Sequence, residues 1–174
     1  MEKRNRTSKL IADIIVHNAS PYQIYLDLDG VLVDFEKQAV KIDKNALKLL
    51  KNKPGLIWDK IKQKGIKFWS TMPWMSDGRK LWKYFKRYNP IILSAHTKDV
   101  ETSKQGKNVW VLKNLGKIHR IFCWRSDKKM HAGENNILID DKPQNIKEWE
   151  QAGGIGILHK NTDSTIKKFE KLLR

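Results

Sequence analysis

A chain of 174 residues with 40% hydrophobic content is long enough for one domain with a real core, and its single cysteine, Cys123, excludes an intramolecular disulfide framework. The formal charge is +16, from 35 Lys+Arg against 19 Asp+Glu, a balance that favours anionic partners. Residues 10–16 are interrupted by Asp13 and too short for a signal peptide or a membrane span, so a soluble, cytoplasmic protein with no membrane partner is expected.

In chain order, residues 1–20 read as a basic extension, with a short helix at 10–16 ended by Ser20-Pro21. Ile24-Tyr25-Leu26 reads as a buried strand running into Asp27-Leu28-Asp29-Gly30, where Gly30 allows a sharp turn. Phe35, Ala39, Ile42, Ala46, Leu49 and Leu50 recur at three- and four-residue spacing, the apolar face of one amphipathic helix, ended by Lys53-Pro54-Gly55. A second helix is expected over 56–64, stopped by Gly65. An aromatic stretch from Phe68-Trp69 to Trp74 follows. Asp77 is expected to cap a helix that buries Leu81, Trp82, Phe85 and Tyr88, and Asn89-Pro90 stops it.

A crossover between parallel strands needs only a dozen or so residues. The excess predicts a helical cap over 36–89, inserted after the first strand of a core built from 21–35 and 90–174. Strands follow at 90–94, 118–124, 136–140 and 155–158. They alternate with helices at 103–115, 144–152 and 163–173, the last with Ile166, Phe169, Leu172 and Leu173 inward. This alternation predicts an α/β fold, a parallel sheet flanked by helices. Cys123 lies in an apolar run and reads as a buried structural thiol.

The chemistry gathers at strand ends, where open α/β sheets bind ligands. Asp27 and Asp29 repel each other unless a cation sits near, and Mg2+ takes oxygen ligands of this kind. A plain Asp-Gly surface turn is the alternative for that pair alone. Ile91-Ile92-Leu93 ends in Ser94, a helical stretch begins near Lys107, and Ile137-Leu138-Ile139 ends in Asp140-Asp141. Asp27 is the candidate nucleophile and Asp29 the candidate general acid and base. Ser94 is expected to hydrogen-bond a phosphoryl oxygen, and Lys107, for which Lys104 is a rival until the family resemblance below is weighed, to neutralise charge there and at Asp27. Asp140 and Asp141 complete a Mg2+ site with Asp27 and Asp29. His96 reads as an incidental loop histidine.

This order of motifs resembles the haloacid dehalogenase (HAD) superfamily of phosphotransferases, over roughly residues 22–160. Within it, Asp27 to Phe35, Phe68-Trp69, Lys107-Asn108-Val109-Trp110-Val111 and Leu138 to Pro143 resemble the 5'(3')-deoxyribonucleotidases and their phage and bacterial relatives. The resemblance implies a Rossmann-like core, an aspartyl-phosphate intermediate and a Mg2+ contact from the Asp29 backbone carbonyl. It also implies a base slot from Phe35, Phe68 and Trp69, and a second phosphate-contacting lysine at Lys128. Trp58 and Trp82 are expected to pack inside the cap.

The implied substrate is a deoxynucleoside monophosphate or a related nucleotide. The alternatives are the 3'- or 5'-phosphorylated end of a polynucleotide, supported by the charge, and a non-catalytic binding module on the same scaffold. Lysines spread along the chain argue for the small nucleotide, with nucleic acid the secondary partner. A homodimer is compatible with the sequence.

Overall fold

The structure is a computed structural model that describes residues 20–174. The short helix expected at 10–16, and all of the basic extension but Ser20, lie outside the described residues. Five parallel strands form one sheet in the order β3-β2-β1-β4-β5: β1 Gln23–Leu26, β2 Ile91–Ala95, β3 Arg120–Cys123, β4 Asn136–Asp140 and β5 Ile155–Leu158. This is the expected Rossmann-like α/β sheet. Side chains alternate across it. Ile24, Leu26, Ile92, Ile137, Ile139 and Ile157 point to one face, and Tyr25, Leu93 and Leu138 to the other.

Helices cover both faces. On the first lie α5 Gly78–Phe85, α6 Val100–Asn114 and α8 Thr162–Leu172, through Leu81, Phe85, Trp110 and Phe169. On the second lies α7 Pro143–Gln151, with Ile146 and Trp149 buried. Four helices come earlier in the long connection between β1 and β2: α1 Phe35–Ile42, α2 Ala46–Asn52, α3 Pro54–Lys64 and α4 Ile66–Ser70. Their buried Ala39, Ile57, Ile61, Phe68 and Trp69 join the same apolar cluster as the first sheet face.

Local chemistry explains most ends. Asp34 Oδ1 accepts from the Lys37 amide at 2.8 Å and caps α1. Pro54 opens α3, where its missing N–H costs nothing. The single amphipathic helix expected from Phe35 to Leu50 is two helices, because the chain becomes extended at Asp43 (φ −148°, ψ 120°). Asp43 then accepts from Lys60 of α3 at 2.5 Å. Asp77 makes no cap for its own helix. Its Oδ2 accepts from the Thr162 amide at 2.6 Å and serves the start of α8. The structure also corrects two burial expectations: Cys123 is only half-buried, and Leu173 is exposed.

Trp110 fixes the approach of the inserted helices. Its Nε1 donates to Met72 O at 2.8 Å, and its ring tilts against Trp74 at 4.9 Å. Gly106, one turn before it, leaves room for Trp69 and Ile66 of α4. No helix of the described residues is long and apolar enough to cross a membrane.

Candidate active site

The sheet positions the candidate residues at its carboxyl edge. Asp27 directly follows β1, and its amide continues the ladder by donating to Ile139 O at 3.0 Å. The chain then coils tightly: the amides of Val31, Leu32 and Val33 all donate to Leu28 O, and Gly30 sits at φ +78°. Ser94 lies inside β2, Asp140 ends β4, and Asp141 follows it.

Asp27, Asp140 and Asp141 each offer a carboxylate oxygen, and these atoms lie within 4.8 Å of one another, a set that can hold a metal ion. Asp27 is buried. Its Oδ1 accepts from the Leu28 amide at 2.8 Å, and its Oδ2 pairs with Lys128 at 3.0 Å. Asp140 is fully buried, with Lys128 at 2.7 Å from Oδ2. Asn145 Nδ2 donates to both Asp140 oxygens, at 3.0 and 2.9 Å, and the Lys142 amide donates to Oδ1 at 2.8 Å. Asn145 is a site residue that the sequence reading missed. Its one signal is its place in the first turn of the helix that follows the paired carboxylates. Asp141 pairs with Lys142 at 2.8 Å, while its Oδ1 is buried without a partner.

Asp29 stands apart from this triad. Its carboxylate turns to Lys107, and its Oδ1 is buried without a hydrogen bond. Burial pushes the Asp29 carboxyl above its ordinary value. Lys107 works against this, and the Asp27 charge adds to it. Burial likewise raises Asp140, with Asp27 as the second cause. For Lys128 burial opposes the ammonium, but Asp27 and Asp140 outweigh it and hold its pKa above the ordinary value.

The two lysines divide differently from the expectation. Lys107 was expected at Asp27, yet its Nζ donates to Asp29, to Ser94 Oγ at 3.1 Å and to Ala95 O at 2.6 Å. The lysine at Asp27 is Lys128, held in a 3-10 turn at Arg125–His131. The reason is sheet order. That turn leaves β3, crosses the carboxyl edge and reaches β4, which lies beside β1, while α6 enters over β2.

Two cavities flank the centre. The smaller, about 430 Å³, is lined by Asp29, Gly30, Asp34, Phe35, Asp141 and Lys142 among others. The larger, about 880 Å³, lies between the inserted helices and the core, lined by Trp58, Lys62, Trp69, His96, Lys98 and Trp124 among others. Lys107 Nζ sits 5.3 Å from the Trp69 ring centroid, between this cavity and Asp29. Of the expected base-slot residues, Phe35 lines the smaller cavity and Trp69 the larger. Phe68 lines neither; it is buried at 4.8 Å from Trp69 and 5.6 Å from Phe35. Trp58, expected inside the cap, is 38% exposed on the larger cavity wall, whereas Trp82 is half-buried against the core. His96 is buried, with its ring edge-on to Trp124 at 4.2 Å.

No protein-family model matches the sequence, and no curated protein is significantly similar to it. Solved structures do share the fold. A hydrolase from Streptococcus pneumoniae TIGR4 is 14% identical, with a TM-score of 0.52 over 88% of this chain and 99% of its own. A Had-superfamily hydrolase from Ehrlichia chaffeensis is 12% identical, with a TM-score of 0.54 over 87% of this chain and 97% of its own. By fold, this chain is similar to hydrolases of the HAD superfamily.

Proposed function

We propose that the protein is a Mg2+-dependent phosphatase of nucleotide phosphate monoesters, in which Asp27 forms an aspartyl-phosphate and Asp29 moves the proton.

 The observation that carries this reading is the set of converging carboxylates of Asp27, Asp140 and Asp141 at the carboxyl edge of the sheet, with Asp29 beside them. Oxygen donors with no Cys or His among them suit a hard cation. The unpartnered Asp141 Oδ1, and the space that Gly30 leaves for that carboxylate, fit such an ion. Asp27, Asp140 and Asp141 would hold it, with the Asp29 carbonyl. When bound, Mg2+ neutralises charge on the phosphoryl oxygens.

In the first step an Asp27 carboxylate oxygen bonds to phosphorus as the bond to the leaving oxygen breaks, and Asp29 gives that oxygen its proton. In the second, Asp29 takes a proton from water, and the water oxygen attacks phosphorus. The bond to Asp27 breaks, releasing phosphate. The raised Asp29 carboxyl suits the acid role. In this reading Lys107 and Lys128 supply positive charge to the phosphoryl oxygens, and Ser94, which accepts from Lys107, donates a hydrogen bond to one of them. The description of fold neighbours as hydrolases supports the reaction class.

The nucleotide half of the reading rests on the resemblance to deoxyribonucleotidases and on Trp69, which lines the larger cavity next to Lys107. Helices α1–α4 act as the cap in this reading. A phosphate-release screen with Mg2+ over nucleotides, sugar phosphates and an aryl phosphate tests it. Release from nucleoside monophosphates, lost in Asp27→Asn, is expected. No release from any monoester would overturn it.

A further inference from the structure

The lysines are not evenly spread: the inserted helices carry more than their share. Helices α1–α4 span Phe35–Ser70 and carry ten lysines, all exposed, against Glu36, Asp43 and Asp59. That is +7 of the total +16 on 36 of 174 residues. Asp43 is also paired with Lys60. The same helices wall the larger cavity through Trp58, Lys62 and Trp69, and the core supplies His96, Lys98 and Trp124.

Two tryptophans on these walls are open to solvent, Trp58 at 38% and Trp124 at 47%. Each is backed by a second ring: Phe35 lies 5.8 Å from Trp58, and His96 lies 4.2 Å from Trp124. Inside the cavity Lys62 and Lys98 are balanced by Asp59 and Asp99, so it is formally neutral, as suits an uncharged base. The surrounding helices are positive, as suits a phosphate backbone.

We propose that this cavity and the lysine-rich surface beside it bind single-stranded nucleic acid and present its phosphorylated end to Asp27. Only the last clause rests on the phosphatase reading. Stacking platforms beside a positive surface are what a single strand uses. A duplex or an acidic peptide would engage the lysines and leave the two open tryptophans without a role. A mononucleotide would leave most of the lysines without one.

The test uses the full chain carrying Asp27→Asn, so that nothing is hydrolysed, and fluorescence anisotropy of a labelled oligothymidylate at two salt concentrations. The single strand should bind at least tenfold more tightly than a duplex of equal length, and more weakly at high salt. Trp58→Ala and Trp124→Ala should each weaken binding about tenfold, from the worth of one stacked base. Both rings are exposed, so their loss spares the core. The pair Lys62→Glu with Lys98→Glu should weaken binding more than Lys167→Glu with Lys171→Glu on α8, an equal change of charge elsewhere. Equal affinity for duplex, unchanged binding by both tryptophan variants, or equal loss from the two lysine pairs would overturn the proposal. Binding is read without turnover, so absence of phosphatase activity in the wild-type chain would count against the catalytic reading alone.

Discussion

The Asp141 carboxylate fills the space where a side chain on Gly30 would stand: a Cβ there would lie 2.5 Å from Asp141 Cγ. Gly30 also holds φ +78°, which a Cβ disfavours. Gly30→Ala should therefore displace one of the three converging carboxylates. The expected outcome is at least a tenfold loss of kcat/KM and a smaller rise in melting temperature on adding Mg2+. Calorimetry with and without Mg2+ checks the second effect independently of turnover.

Lys128 is the internal counter-ion of Asp27 and Asp140. Lys128→Met would leave two buried carboxylates without it. Removing one partner of a buried ion pair costs about 3–5 kcal/mol. Denaturant unfolding in EDTA should show a loss of this size, and saturating Mg2+ should recover part of it. Lys104→Met should change stability little. Equal stability of the two variants in EDTA would remove Lys128 from the site.

Asp29→Asn should lower kcat by about 10²–10⁴-fold, the usual worth of a positioned acid and base. Its carboxyl is raised, so the acid form persists above the ordinary carboxylate range. In the wild type, kcat/KM should fall as pH rises past that raised value, because the leaving oxygen then lacks its proton donor. The pH–rate profile of Asp29→Asn should lack this limb. A profile that keeps it would assign the proton to another group.

Gly106 lies inside α6, where Ala is favoured by about 1 kcal/mol on helix propensity alone. A Cβ at Gly106 would press on the Trp69 side chain and sit 2.8 Å from Ile66 O. Overpacking of this kind costs about 1–3 kcal/mol. Gly106→Ala should thus lower the melting temperature despite the better helix former. A rise would show that α4 and α6 are not in close contact.

His159 is buried beneath α8, with Nδ1 2.9 Å from Thr165 Oγ1, and burial holds its pKa below the ordinary 6.5. The unfolded chain therefore binds this proton more readily. The stability contributed by neutral His159 is present above pH 6.5 and is lost as pH falls from there through the lower folded value. His159→Gln should flatten the fall in melting temperature between neutral and mildly acid pH. An unchanged slope would exclude His159 as its source.

Local pattern was enough for the strands to within a residue or two, for the Asp27-Leu28-Asp29-Gly30 turn and for the strand end at Asp140. Strand alternation and turn chemistry act over a few residues, so the chain writes them directly. Fold class followed from the alternation of strands and helices. Partners distant in the chain were not legible. Asp77 caps a helix 85 residues away, and Asn145 braces Asp140 only because α7 folds back on β4. Trp58 lines a cavity rather than the cap interior, and the pattern within its own helix does not show what that side will meet. The choice of Lys128 over Lys107 at Asp27 depends on β4, not β3, lying next to β1. Periodicity says which side of an element is apolar; only the packed order of elements says what that side, or the charge opposite it, will meet.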